Sequence, residues 1–196
     1  MDFNDIKSRL ERLLASLNAR FDEDVIRSTN VQRTEIDNRV FVYVNFGRGS
    51  TPDHENQILT ILHNLSSLKD HLKNCLKTRG LKAKLVEDEI NTSLHLQVMI
   101  DLVNLEKHGY PLLKPRSNLN PRISSVRTPL RLMSGDGQSS GIFLGGDGTT
   151  RNFGQSIVVL TASIVDGNGS PLFELDELVE TCYQKWIDLA TKHGCV

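Results

Sequence analysis

A chain of 196 residues is long enough to bury about 70% of its unfolded surface in a core that needs neither disulfides nor metals. Its 23 Lys and Arg against 24 Asp and Glu give a net charge of −1, which excludes a uniformly basic polyanion binder and an acidic disordered chain. No run of eighteen apolar residues exists, and the opening "MDFNDIKSRLERLL" has no apolar stretch of the secretory kind, so a cytoplasmic protein without a membrane span is expected.

The first predicted element is a helix capped by Asp2, with Phe3, Ile6, Leu10, Leu13 and Leu17 recurring at spacings of three and four. Residues 25–32 and 39–46 are β-rich, and "EIDNR" between them reads as a hairpin turn. Thr51, Pro52, Asp53 and Glu55 then announce a helix that Arg79 and Gly80 close. Its apolar residues Ile58, Ile61, Leu65, Leu68, Leu72 and Cys75, broadened by Leu59, Leu62 and Leu76, form a face wide enough to cover a sheet of the same chain. Residues 81–87 and 92–103 read as a second hairpin around "DEIN", because Leu94, Leu96, Val98, Ile100 and Leu102 alternate with polar His95, Gln97 and Asp101.

Periodicity stops over residues 104–140. Pro111, Pro115, Pro121 and Pro129 oppose helix and strand pairing, so an extended Pro/Arg-rich loop or arm is expected. Order resumes with a strand at 142–144, a long strand through "SIVVLTASIVD", the turn "DGNGSP" and a helix over about 173–192 that buries Leu175, Leu178, Val179, Cys182, Trp186 and Leu189. The fold class is therefore α+β. A single domain over 1–196 is expected, with a mainly antiparallel mixed sheet, the order αββαββ, a further strand or two, a C-terminal helix, three principal helices and a long irregular loop.

The cysteines, Cys75, Cys182 and Cys195, stand in no CxxC or metal-ligand spacing, and their odd number predicts unpaired thiols in a reducing compartment. His54, His63 and His71 share one helix without the i,i+4 spacing that chelates a metal. "EDE" at 87–89 falls in the predicted hairpin turn as a solvated cluster, and Glu174, Asp176 and Glu177 suit the start of the last helix. No nucleophile elbow or Walker loop occurs, so no catalytic residue, cofactor or metal is assigned.

Gly145, Gly146, Asp147, Gly148 and Thr149 resemble the GGDGT motif of the superfamily that contains the NAD kinases and the diacylglycerol and sphingosine kinases. That resemblance implies phosphate binding by backbone N–H groups and a catalytic role for Asp147. In the family a helix follows the motif, whereas here an apolar β run follows; a turn using the same residues for positive φ accounts for the stretch as well.

Between 107 and 133 six cations, Lys107, Lys114, Arg116, Arg122, Arg127 and Arg131, occur without one carboxylate. Leu112, Leu113, Leu119, Ile123, Val126, Leu130, Leu132 and Met133 are interspersed, and Tyr110 is the one aromatic. Cations mixed with aliphatics suit a protein surface, with apolar burial at the centre and arginine–carboxylate pairs at the rim. The expected function is a non-enzymatic subunit of a homo-oligomer or larger protein assembly that contacts neighbours through these six residues. The alternative is sequence-independent nucleic-acid binding through the same cations; the third is phosphoryl transfer at Asp147.

Overall fold

The computed structural model describes residues 6, 8–11, 30–36, 39–45, 51–127, 130–133, 141–144, 150–153, 155–158 and 160–196. In chain order the elements are β1 (Asn30–Ile36), β2 (Arg39–Asn45), α1 (Thr51–Thr78), α2 (Lys84–Thr92), α3 (Leu94–His108), β3 (Arg122–Arg127), β4 (Leu130–Met133), β5 (Gly141–Leu144), β6 (Thr150–Phe153), β7 (Gln155–Val158), β8 (Thr161–Val165), β9 (Pro171–Glu174) and α4 (Leu175–Lys192). The class is α+β. Residues 1–18, 55–126 and 162–196 make one compact unit, and residues 19–54 and 127–161 a second.

The first unit is built around α1. Ile58, Leu62, Leu65, Leu68, Leu72 and Leu76 line its buried side, and Ile6 and Leu10 of the opening helical segment are buried as their spacing predicts. Helices, where a sheet is predicted, cover that face. The indole Nε1 of Trp186 on α4 donates to the Leu65 carbonyl oxygen at 3.1 Å, and one helical stretch further on Cys75 is bonded to Cys195, so α1 and α4 run side by side in the same direction. His63 pairs with Glu106 in the last turn of α3, so α3 also lies beside α1.

Both long helices end in the same device. Gly80 (φ 72°) donates to the Lys77 carbonyl and Leu81 to that of Leu76; Gly194 (φ 67°) donates to Thr191 and Cys195 to Ala190. These paired bonds satisfy carbonyls that the helix leaves open and require the left-handed backbone that glycine adopts most readily. The second instance fixes Cys195 where it meets Cys75, with Cα atoms 6.1 Å apart. The prediction of unpaired thiols is thus corrected: Cys75 and Cys195 are joined across 120 residues of sequence, and Cys182 alone is free, and buried. With the pairing, the cysteine argument for a reducing compartment falls away.

The predicted hairpin over 81–103 is also corrected. These residues form α2 and α3, separated by Ser93, whose hydroxyl accepts from Leu96 N as an N-cap. Val98, Met99, Ile100, Asp101, Leu102 and Val103 are all buried, six in succession. Where a helix is enclosed on every side, as over these six residues, it carries no amphipathic period, and the alternation that suggested a strand was coincidental. The "EDE" cluster accordingly lies on α2: Glu87 binds Lys73 and Arg116, and Glu89 lies 3.5 Å from Lys185 of α4. His95 is on a helix as well, stacked on Phe173 with ring centroids 4.1 Å apart. A sheet of order β3-β8-β9 completes the unit.

In the second unit β1 and β2 pair antiparallel from Asn30↔Asn45 to Ile36↔Arg39, the hairpin that "EIDNR" predicts; the first strand runs on to Ile36 where 32 is predicted, and the predicted residues 25–29 lie outside the described residues. The strands β4 and β7 pair antiparallel, Leu130↔Val158 to Met133↔Gln155, and inside them β5 pairs with β6, Gly141↔Phe153 to Leu144↔Thr150. The long strand predicted through residues 156–166 is therefore two strands, β7 partnered by β4 and β8 by β9.

Candidate functional site

Of the loop expected over 104–140, residues 109–121 are irregular and held by hydrogen bonds, while 128–129 and 134–140 lie outside the described residues. Residues 104–108 complete α3, and 122–127 and 130–133 are strands. The prolines do remove local pairing, as predicted. Partners come instead from side chains distant in sequence. Asp101, buried in α3 with 1% exposure, accepts from Arg116 N and Ser117 N at 2.8 Å each and from the Ser117 hydroxyl at 2.6 Å. Asn120 Oδ1 accepts from Leu112 N, and the Leu119 carbonyl accepts from Gly167 N in the β8–β9 turn. Asn118 and Asn120 take positive φ (61° and 48°), which asparagine tolerates better than most residues. Tyr110 and Pro111 are joined by a cis peptide. A Cβ on Gly167 would stand 3.4 Å from Leu119 O, Asn120 Cβ and Tyr110 Oη, so the β8–β9 turn lies directly against the loop.

The braced loop projects an apolar tip. Leu113 is 99% exposed, and Tyr110 49% exposed beside Pro111. A shallow hollow of about 460 Å³ lies among Asn104, His108, Pro111, Leu112, Leu113 and Lys114.

Of the six predicted cations, two are brought together within the first unit. Lys107, in the last turn of α3, and Arg116 line a common cleft of about 280 Å³ between α1 and α3. Lys114 is exposed next to Leu113. Arg122, at the start of β3, is exposed, its guanidinium beside Gly169. Arg127 ends β3, exposed and engaged in an interaction of its own. Arg131 lies on β4 opposite Ile157, in the second unit. Sequence reasoning missed two members of the arrangement: Lys69, which joins Lys107 and Arg116 in the cleft, and Asp101, which holds the loop.

Arg116 Nη1 binds Glu87 Oε2 at 2.8 Å, and Lys73 reaches the other oxygen at 2.5 Å. Burial alone would raise the Glu87 carboxyl, but these two cations outweigh it and hold it below the usual carboxylate range. His71 is held below its ordinary value by burial and by Arg9, against the pull of Asp70. No group of three or more His, Cys, Asp or Glu among the described residues could hold a metal. No helix among them is long and apolar enough to cross a membrane.

Gly145 to Thr149, including Asp147, lie outside the described residues. The elements on either side are antiparallel partners, β5 and β6, so the motif joins two strands of a hairpin and no helix follows it. No family model, no curated protein and no solved structure matches the chain.

Proposed function

We propose that the protein is a non-enzymatic subunit that associates with further copies of itself through the loop at residues 109–121. The observation that carries this reading is Leu113, fully exposed at the tip of a loop whose backbone is already fixed by Asp101. Single exposed leucines are common on protein surfaces. Here, however, the side chain stands with Tyr110 and Pro111 on a segment ordered before any partner arrives, so little entropy remains to be lost on docking. Burying one leucine side chain is worth about 1.5–3 kcal/mol, and the tip is the natural centre of a contact with Lys114 at its rim.

A second copy is the partner favoured by charge. The stretch 107–133 carries six cations and no carboxylate, and with a net charge of −1 the remainder carries −7. Asp176, Glu177, Glu180 and Asp188 are exposed on α4. Edges of two-stranded pairs, β1-β2, β4-β7 and β5-β6, are unpaired among the described residues, and such edges also suit association between chains.

The test is Leu113→Asp, alone and with Lys114→Glu, followed by light scattering. The wild type is expected to exceed 22.0 kDa and the variants to run as folded monomers. Unchanged mass in both variants contradicts the reading. Duplex DNA binding that these variants leave intact would shift the cations to a nucleic-acid role.

A further inference from the structure

We propose that the cleft between α1 and α3 is a binding site for the phosphate of a small phosphomonoester, a function separate from self-association. On α1, Ser66, Lys69 and Asp70 are three and four residues apart and therefore share a face; on α3, Ile100, Val103, Asn104 and Lys107 do the same. Both faces line the same cleft, and Arg116 from the braced loop joins them in its wall. Three cations from three separate elements thus line one cleft, with Asp70 as the single carboxylate in its lining.

Their pairing is unequal. Arg116 is oriented by Glu87, which Lys73 also holds. Lys69 and Lys107 have no ion-pair partner among the described residues. Two unpaired ammonium groups beside an anchored guanidinium repel one another until an anion joins them, and a phosphate dianion offers enough acceptor oxygens for all three. Ser66 and Asn104 add neutral hydrogen-bonding groups. The volume of about 280 Å³ exceeds that of a lone phosphate and leaves space for a small polar organic group over the apolar floor of Ile100 and Val103.

Arg116 has a second role in this arrangement. Its backbone N–H is tied to Asp101 and its side chain to Glu87, so the guanidinium is positioned before any ligand arrives. Preorganised charge of this kind raises affinity because no side chain has to be ordered on binding.

The experiment is titration of the full-length protein with inorganic phosphate, glycerol 3-phosphate, glycerol and sodium chloride at matched ionic strength, followed by amide chemical shifts. Saturable shifts are expected at Ser66, Lys69, Asn104, Lys107 and Arg116 for both phosphates, with Kd on the order of 1 mM. Glycerol and chloride are expected to produce none. Lys69→Gln and Lys107→Gln should each weaken binding about tenfold, as loss of one charge-assisted partner implies, while Leu113→Asp leaves it unchanged. Non-saturating shifts, shifts equal to those of chloride, or shifts confined to other faces overturn the proposal. The wild-type map decides even if a variant fails to fold, and because the variants of the two sites differ, failure here leaves self-association to its own test.

Discussion

Replacement of Asp101 by alanine tests the brace on which the exposed loop depends. The carboxylate accepts three hydrogen bonds, from Arg116 N, Ser117 N and the Ser117 hydroxyl, at 2.6–2.8 Å. Ser117 is itself buried, so two of the three donors lose their acceptor where water does not readily replace it, while Arg116 N is partly buried and can be rehydrated. An unsatisfied buried donor costs about 1–3 kcal/mol, and taking the lower value for the two Ser117 donors gives about 2 kcal/mol. Asp101→Asn keeps one acceptor oxygen and is expected to lose roughly half of that. Trp186, the single tryptophan, is fully buried in the same unit, so its fluorescence during urea unfolding reads the stability directly. Hydrogen exchange at Arg116 and Ser117 reads the brace itself. A loss below about 0.5 kcal/mol, the range of ordinary surface substitutions, with unchanged exchange at both amides would refute the reasoning.

Two cysteine experiments follow from the same unit. Cys195→Ser opens the bridge to Cys75 across 120 residues, for which the chain-entropy treatment gives about 5 kcal/mol; a loss of about 3–5 kcal/mol is expected in urea unfolding, and a reducing agent should reproduce it in the wild type and add nothing to the variant. Cys182 is pushed up from 9.0 to about 12 by burial, with Lys185 opposing. The unfolded thiol ionises first, so stability from this group is complete below pH 9 and is lost as pH rises towards 12, on the order of 4 kcal/mol in all; Cys182→Ala should flatten that alkaline limb. The native protein should also show no thiol reactivity at pH 8 and one reactive thiol once denatured.

Much of the fold was legible where backbone termini announce themselves. The start of α1 at Thr51 and Pro52, its end at Gly80, the β1–β2 turn and the apolar side of α4 were each readable from local chemistry. The second hairpin was misread because the middle of α3 is buried all round, and Asp101, which looked like a solvent-facing polar position, is an interior acceptor. The loop was misread for a related reason: prolines show what local bonds are missing, but nothing near residues 116 and 117 reveals that a carboxylate fifteen residues earlier supplies the substitute. Likewise, Cys75 and Cys195 meet through two helix ends, a relation that neither spacing nor count can disclose. Of the candidate cations, Lys107 and Arg116 share a cleft; Lys69 was passed over because a lysine on a helix flank usually faces solvent.

Hydrogen exchange of the wild-type protein across a dilution series tests the central claim most directly. Arg116 and Ser117 amides should be protected at every concentration, because Asp101 holds them within one chain, whereas Leu113 and Lys114 amides should be protected at high concentration and exposed on dilution. Exchange at Leu113 and Lys114 that is independent of concentration, or rapid exchange at Arg116 and Ser117 throughout, would contradict a braced loop that docks on a second copy.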